Sequence, residues 1–119
     1  EGMMEHGALL RLTRNMLSTT RLALPTINMA AATALETLQT GARSLGVLSG
    51  CNVMMPNVTP QRTRASYQLY DNKQGTESDP DSNVKLEEEL VRETGRTIAR
   101  NRFGSSLHYR SRQGDRPLD

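Results

Sequence analysis

The chain is an α/β protein, the trailing part of a wound parallel architecture. Three observations point there: two short apolar runs long enough only for strands, a helical period before, between and after them, and small or hydroxylated residues where each run ends. The runs are Ile27–Ala32 and Asn52–Met55, ending in Ala32-Thr33-Ala34 and Pro56-Asn57. In parallel α/β folds the loops that leave the carboxyl ends of strands are where ligands bind. Two parallel strands alone make a poor sheet, because parallel sheets need both faces covered. Neighbouring strands are therefore expected from missing sequence, a second chain or self-association.

Gly2 to about Leu22 carries a helical pattern, with Leu9, Leu12, Met16 and Leu17 at three- and four-residue spacings and Arg11 and Arg14 off that stripe. Pro25 stops it. Ile27–Ala32 follows as a buried strand. Thr37–Leu48 reads as a second helix with Leu38, Ala42, Leu45 and Leu48 on its apolar face and Gly50 as its terminator. In Asn52–Met55 the adjacent Met54 and Met55 point to opposite faces, the mark of a strand buried on both sides. Thr59-Pro60 opens a short helix to about Leu69, Thr as N-cap and Pro in the first turn. Asp71–Asn83, rich in Gly, Pro, Ser and acids, reads as a linker. A helix returns from Asn83 to about Asn101, acids early and Arg96 and Arg100 late, with Gly95 inside it as a weak point. Residues 102–119 show no period and read as a frayed tail.

The expected organisation is a partial α/β barrel over 1–70, a mobile acidic linker over 71–83, a C-terminal helix over 84–101 and a basic tail over 102–119. The 119 residues suffice for one domain, and 35% hydrophobic content with no Trp, one Phe and three Tyr makes for a thin core. The chain opens at Glu1 rather than Met, which fits a processed, split or truncated product. No run of apolar residues is long enough for a membrane span and no signal peptide opens the chain. A single cysteine, Cys51, rules out an internal disulfide and reads as a small buried hydrophobe. The expected setting is cytoplasmic. The net charge of +2 hides segregation: six Arg face three Glu over 1–70, eight acids face three bases over 71–93, and six Arg face two Asp over 94–119. The tail has no Lys cluster and no aromatic stacking platform, so nucleic acid is not the expected partner. His6 and His108 have no partner at metal-ligand spacing, so no metal site is expected.

Four residues stand out as ligand candidates. Thr33 sits where the first strand ends; its hydroxyl either meets a polar ligand or caps the next helix. Tyr67 and Tyr70, three apart, share a helix face and either line a cavity or fill a thin core. Asn57 follows the second strand and either bonds a ligand or stabilises the turn before Thr59. Thr37 is expected to cap a helix.

Segments across Leu10–Gly75 resemble the C-terminal barrel part of the radical S-adenosylmethionine (radical SAM) maturases of iron-only (FeFe) hydrogenase, the HydE type. They are Leu12-Thr13-Arg14 or Thr20-Arg21-Leu22, Ala31–Leu38 (AATALETL), Gly50–Pro60 (GCNVMMPNVTP) and Tyr67–Tyr70 (YQLY), with Gly95–Ile98 similar to a stretch near that family's C-terminus. Biotin synthase and tyrosine-cleaving thiamine enzymes share a related region; YQLY favours the maturase. The resemblance implies a (β/α)8 TIM-type barrel in the complete enzyme, of which this chain holds the sixth helix, the last two strand–helix units and a C-terminal helix. It implies a substrate-side wall that includes Thr33, Asn57, Tyr67 and Tyr70. The complete enzyme implies S-adenosylmethionine and a 4Fe-4S cluster on a CxxxCxxC motif that this chain lacks, so no cofactor, and no catalytic residue, is expected in the chain alone. An auxiliary cluster is not expected either, since Gly75, Asn83 and Leu86 stand at the corresponding positions. The implied partners are the missing N-terminal half of the barrel, or a second copy, and other hydrogenase maturation proteins. Two departures matter: Ala32-Thr33 replaces a Thr-Thr pair, and Glu36 stands where Gly is frequent, where it either alters the rim or caps the following helix. The alternatives are a non-catalytic, truncated or partner-binding α/β domain, or the C-terminal region of a biotin synthase-like enzyme.

Overall fold

The computed structural model describes residues 5–56 and 80–114. Helix α1 (His6–Ala23) is followed by strand β1 (Ala30–Ala31), a 3₁₀ turn (Thr33–Thr37), helix α2 (Ala42–Leu48) and strand β2 (Val53–Met54). Helices α3 (Pro80–Glu93) and α4 (Leu107–Gln113) complete the described chain. The strands are parallel, Ala30 opposite Val53 and Ala31 opposite Met54, and α2 is the crossover between them. The order of helix, strand, helix, strand is the one the periodicity predicts.

Both strands are shorter than expected, two residues each. A strand is counted by its ladder, and this pair has no second neighbour among the described residues to extend one. The second helix is also shorter. Thr37, expected to begin it, instead closes the 3₁₀ turn, and residues 38–41, ending in Gly41 at φ +79°, connect that turn to α2. Glycine takes this left-handed backbone without a side-chain clash.

The buried core is Leu10, Met29, Ala31, Leu35, Ala42, Val47 and Cys51, with Leu17, Ile27, Leu38, Leu45 and Met54 packed around it. It lies between α1, the strands and α2. Gly46 lets α2 close on β1: a Cβ there would stand 3.0 Å from Leu35 Cδ1 and 3.3 Å from Ala31 Cβ. The inward faces of both helices are rotated from the expected ones. On α1, Leu10 and Leu17 face the core, and Arg14, read as off the stripe, and Arg21 reach across to the α2–β2 turn, while Met16 is 62% exposed. On α2 the buried residues are Ala42, Arg43, Gly46 and Val47, and Leu48 is exposed. Hydrophobicity alone misplaced these faces because an arginine can turn inward when its guanidinium finds acceptors, as Arg21 does on backbone carbonyls and Arg43 on Glu87 and Met55 O.

The C-terminal region needs three corrections. Residues 80–83, expected as linker, are the first turn of α3. That helix ends at Glu93 rather than near Asn101. Gly95 lies beyond the helix at φ +74°, and its N–H donates to Arg92 O, so it is a terminator and not an interior weak point. The 102–119 stretch contains α4, capped where Ser106 Oγ accepts from the Tyr109 N–H. The arm before and within α4 is tied to the strand layer: Asn28 Nδ2 donates to Gly104 O and the His108 N–H donates to Thr26 O. The expected helix over 59–69 and most of the 71–83 linker lie outside the described residues. Among the described residues no helix is long and apolar enough to cross a membrane.

Candidate functional site

Parallel strands give the molecule two chemically distinct ends. At the amino end, Arg21 from α1 donates to the carbonyls of Gly50 (2.9 Å), Pro25 (2.9 Å) and Ile27 (2.8 Å) and to Asn52 Oδ1 (3.1 Å). Asn52 Oδ1 also accepts the Met29 N–H, and its Nδ2 donates to Asn28 Oδ1. Gly50, at φ +121°, passes so close to α1 that a Cβ would stand 2.7 Å from Arg21 Cβ. Every polar group named here serves to join backbone segments.

The carboxyl end is built differently. Thr33 is half-buried directly after β1, at the start of the 3₁₀ turn, where a barrel-rim hydroxyl is expected. Ala32, and not Thr33, is the cap residue of that turn, and no side chain caps it. Thr37 does not cap a helix: its Oγ1 donates to Ala34 O within the same turn.

Glu36 is 8% exposed and caps α2. Its Oε2 accepts the Gly41 N–H at 2.7 Å and its Oε1 accepts the Arg43 N–H at 3.1 Å. A helix start leaves backbone N–H groups without partners, and a carboxylate there meets both the donors and the positive end of the helix dipole. Of the two readings of this departure from the family pattern, the structure realises the capping one.

Arg43, next on α2, is 4% exposed. Its Nη2 donates to Met55 O at 3.3 Å, immediately past the end of β2, and its Nη1 pairs with Glu87 Oε1 from α3. The pair is a single-point contact. Among the described residues, buried Arg43 Nε and Glu87 Oε2 have no hydrogen-bond partner, nor does Oγ of Ser44, next to Arg43 in sequence. A bidentate guanidinium–carboxylate fork would have used two nitrogens and both oxygens. Buried charged groups carry a high desolvation cost when their hydrogen bonds are incomplete. Asn83, one helical turn before Glu87, is also buried on α3. Sequence reading did not find Arg43 or Glu87. Glu87 stood among three consecutive acids that read as a helix-dipole feature, and Arg43 among residues outside the expected apolar face. The available signal was an arginine four residues before Val47, on the side of α2 opposite Leu48.

Asn57, Tyr67 and Tyr70 lie outside the described residues. Cys51 is 2% exposed in the core, and burial pushes its thiol pKa above 9.0 against a smaller lowering by Arg21. Thiolate ligation and burial in an apolar core are opposed. Among the described residues no group of three or more His, Cys, Asp or Glu side chains is placed to hold a metal ion. His6 is exposed on α1. The residues present do not fit a 4Fe-4S cluster, which takes several thiolates.

Compared with known proteins, no family model matches the chain. A curated relative does: the [FeFe] hydrogenase maturase subunit HydE of Thermotoga maritima is 45% identical over 62 residues, 52% of this chain and 18% of the relative. The chain is similar to HydE over that stretch and spans less than a fifth of the relative's length.

Proposed function

We propose that the chain is a fragment or split subunit of a radical SAM maturase acting in FeFe-hydrogenase cofactor assembly, and that it supplies the substrate-side wall of a (β/α)8 barrel. The 45% identity to HydE carries this reading. The architecture supports it: two parallel strands joined by a helix are one repeat of such a barrel, with polar residues gathered at the carboxyl end. Exposed apolar side chains on the outer parts of the unit, Met16 at 62% and Leu22 at 84%, are surfaces that further barrel elements would cover.

In this reading the complete enzyme, not the chain, holds the 4Fe-4S cluster and S-adenosylmethionine, which together supply the radical. The chain's own residues bind and orient. Thr33 offers a hydroxyl at the rim, Asn57 follows the second strand, and Tyr67 and Tyr70 present phenols to the substrate cavity. Arg43 and Glu36 hold the rim in shape. The partner is the cluster-bearing half of the barrel, and the setting is cytoplasmic.

The experiment is reconstitution in trans. The chain, coexpressed with the CxxxCxxC-bearing half of a HydE-type enzyme, is expected to form a one-to-one complex with maturation activity. Replacing Tyr67 and Tyr70 together with Phe should then lower activity with little change in melting temperature, because Phe keeps the ring and each lost hydroxyl leaves a buried ligand group unsatisfied at about 1–3 kcal/mol. A double variant with full activity removes the tyrosines from the site. Failure to form any complex favours the second reading, a non-catalytic α/β domain, for which the single, core-buried cysteine is the supporting observation.

A further inference from the structure

We propose that the arm from Arg96 to Gln113, which carries α4, is a docking surface for an acidic segment of another protein, one with apolar side chains between its carboxylates. The proposal stands on the arm's own chemistry and does not depend on the family reading.

The first observation is how the arm is held. Asn28 Nδ2 donates to Gly104 O at 2.6 Å, the His108 N–H donates to Thr26 O at 3.0 Å, and Arg110 Nη2 donates to Phe103 O at 2.9 Å. Each of these bonds ends on a backbone group of the arm, and no residue of α4 is buried. Polar bonds to the backbone therefore fix the arm in place, and its apolar side chains stay in solvent. Phe103 is 68% exposed, Leu107 is 63% exposed, and Tyr109 is exposed beside them. Apolar side chains exposed singly are ordinary, whereas a group of them on one ordered segment marks an interaction site. A segment already fixed in position also loses little freedom when a partner arrives.

The second observation is charge. Residues 94–114 carry five arginines and no Asp or Glu. Arg100 is paired with Glu88 of α3, while Arg96, Arg102 and Arg112 are exposed. Guanidinium groups match carboxylates through two parallel hydrogen bonds. Arginine interleaved with aromatic side chains is the composition that concentrates binding energy in protein interfaces.

The same pattern selects the partner. A second copy offers the arm a mixed surface: its exposed acids on α3, Asp81, Glu89 and Glu93, are interspersed with exposed Lys85 and Arg92, and α1 adds Arg11 and Arg14. A phosphate backbone would pair with the guanidinium groups and leave Leu107 uncovered. A protein segment that alternates carboxylates with apolar residues meets both the arginines and the apolar group.

The test uses the full chain and the fluorescence anisotropy of a labelled peptide, Glu-Glu-Phe-Glu-Leu-Glu-Glu, beside its analogue with Ser in place of Phe and Leu. The wild type is expected to bind the first saturably and the analogue at least about tenfold more weakly, the scale of a lost apolar anchor. Phe103→Ser with Leu107→Ser, and separately Arg102→Gln with Arg112→Gln, should each weaken binding at least about tenfold. Melting temperatures should not change, since none of these side chains is buried. Arg11→Gln, exposed on α1, should leave binding as it is. Equal affinity for the two peptides, or an equal loss from Arg11→Gln and the arm variants, overturns the proposal, because charge alone would then account for binding. Tighter binding of a single-stranded oligonucleotide of the same charge overturns it in favour of nucleic acid. Salt-sensitive self-association by light scattering, lost in the arm variants, overturns it in favour of a second copy.

Discussion

Two arginines, Arg21 and Arg43, occupy opposite ends of the same two-stranded unit and do opposite kinds of work. Arg21 gathers carbonyls from the α1–β1 and α2–β2 connections and a side-chain amide, so each donated bond ties one backbone segment to another. Arg43 is more deeply buried, its Nε has no partner among the described residues, and its carboxylate partner arrives from a distant helix. Arg21 thus joins connections close together in the fold, and Arg43 joins two helices far apart in sequence at the end where such folds place their ligands. Parallel α/β folds make that division generally, stability at the amino end of the strands and chemistry at the carboxyl end.

The largest way to test this contrast is at the carboxyl end. Glu87→Ala strands a buried guanidinium and should cost about 3 kcal/mol of unfolding free energy by denaturant titration. Arg43→Met combined with Glu87→Leu should lose much less than the single variant, because no buried charge is left behind. A double variant as unstable as Glu87→Ala would mean that the loss comes from packing between α2 and α3 rather than from the charge.

At the amino end, Gly50→Ala should cost about 2 kcal/mol: the backbone at φ +121° disfavours a side chain, and the new Cβ meets Arg21. Circular dichroism melts can measure it. A neutral effect would show that α1 yields easily, and the amino end would then not be the rigid one. Arg21→Lys is expected to cost less, about 1 kcal/mol, since an ammonium keeps a charge but cannot span the Gly50, Ile27 and Asn52 acceptors together. A loss equal to that of Glu87→Ala would erase the difference between the two ends.

The smallest expected effect is that of Cys51, in the core between them. Its native pKa is raised by burial, so the unfolded thiol ionises first as pH climbs. The stability it contributes is complete below the unfolded value, near 9.0, and declines as pH rises through that value toward the native one. Cys51→Ala should flatten this alkaline slope, and the native thiol should react with iodoacetamide only at the rate of unfolding. Rapid modification of the folded chain at neutral pH would place the thiol outside the core.

The order of helices and strands through β2, the parallel pairing, the burial of Cys51 and the similarity to HydE were readable from residue order, whereas α4 was not. They rest on local signals: apolar period, Pro25 and Gly50 as stops, and contiguous motifs such as GCNVMMPNVTP. What tertiary structure decided is which faces turn inward and which charges meet. The inward face of α1 differs from the expected one because Arg14 and Arg21 spend their donors on the turn after α2. Glu36 became a cap because Gly41, in left-handed backbone, brings the start of α2 back over the 3₁₀ turn. Arg43 and Glu87 stand 44 residues apart, and no period or spacing relates them. Their meeting depends on α3 packing against α2, a long-range contact that buries two residue types usually found at the surface.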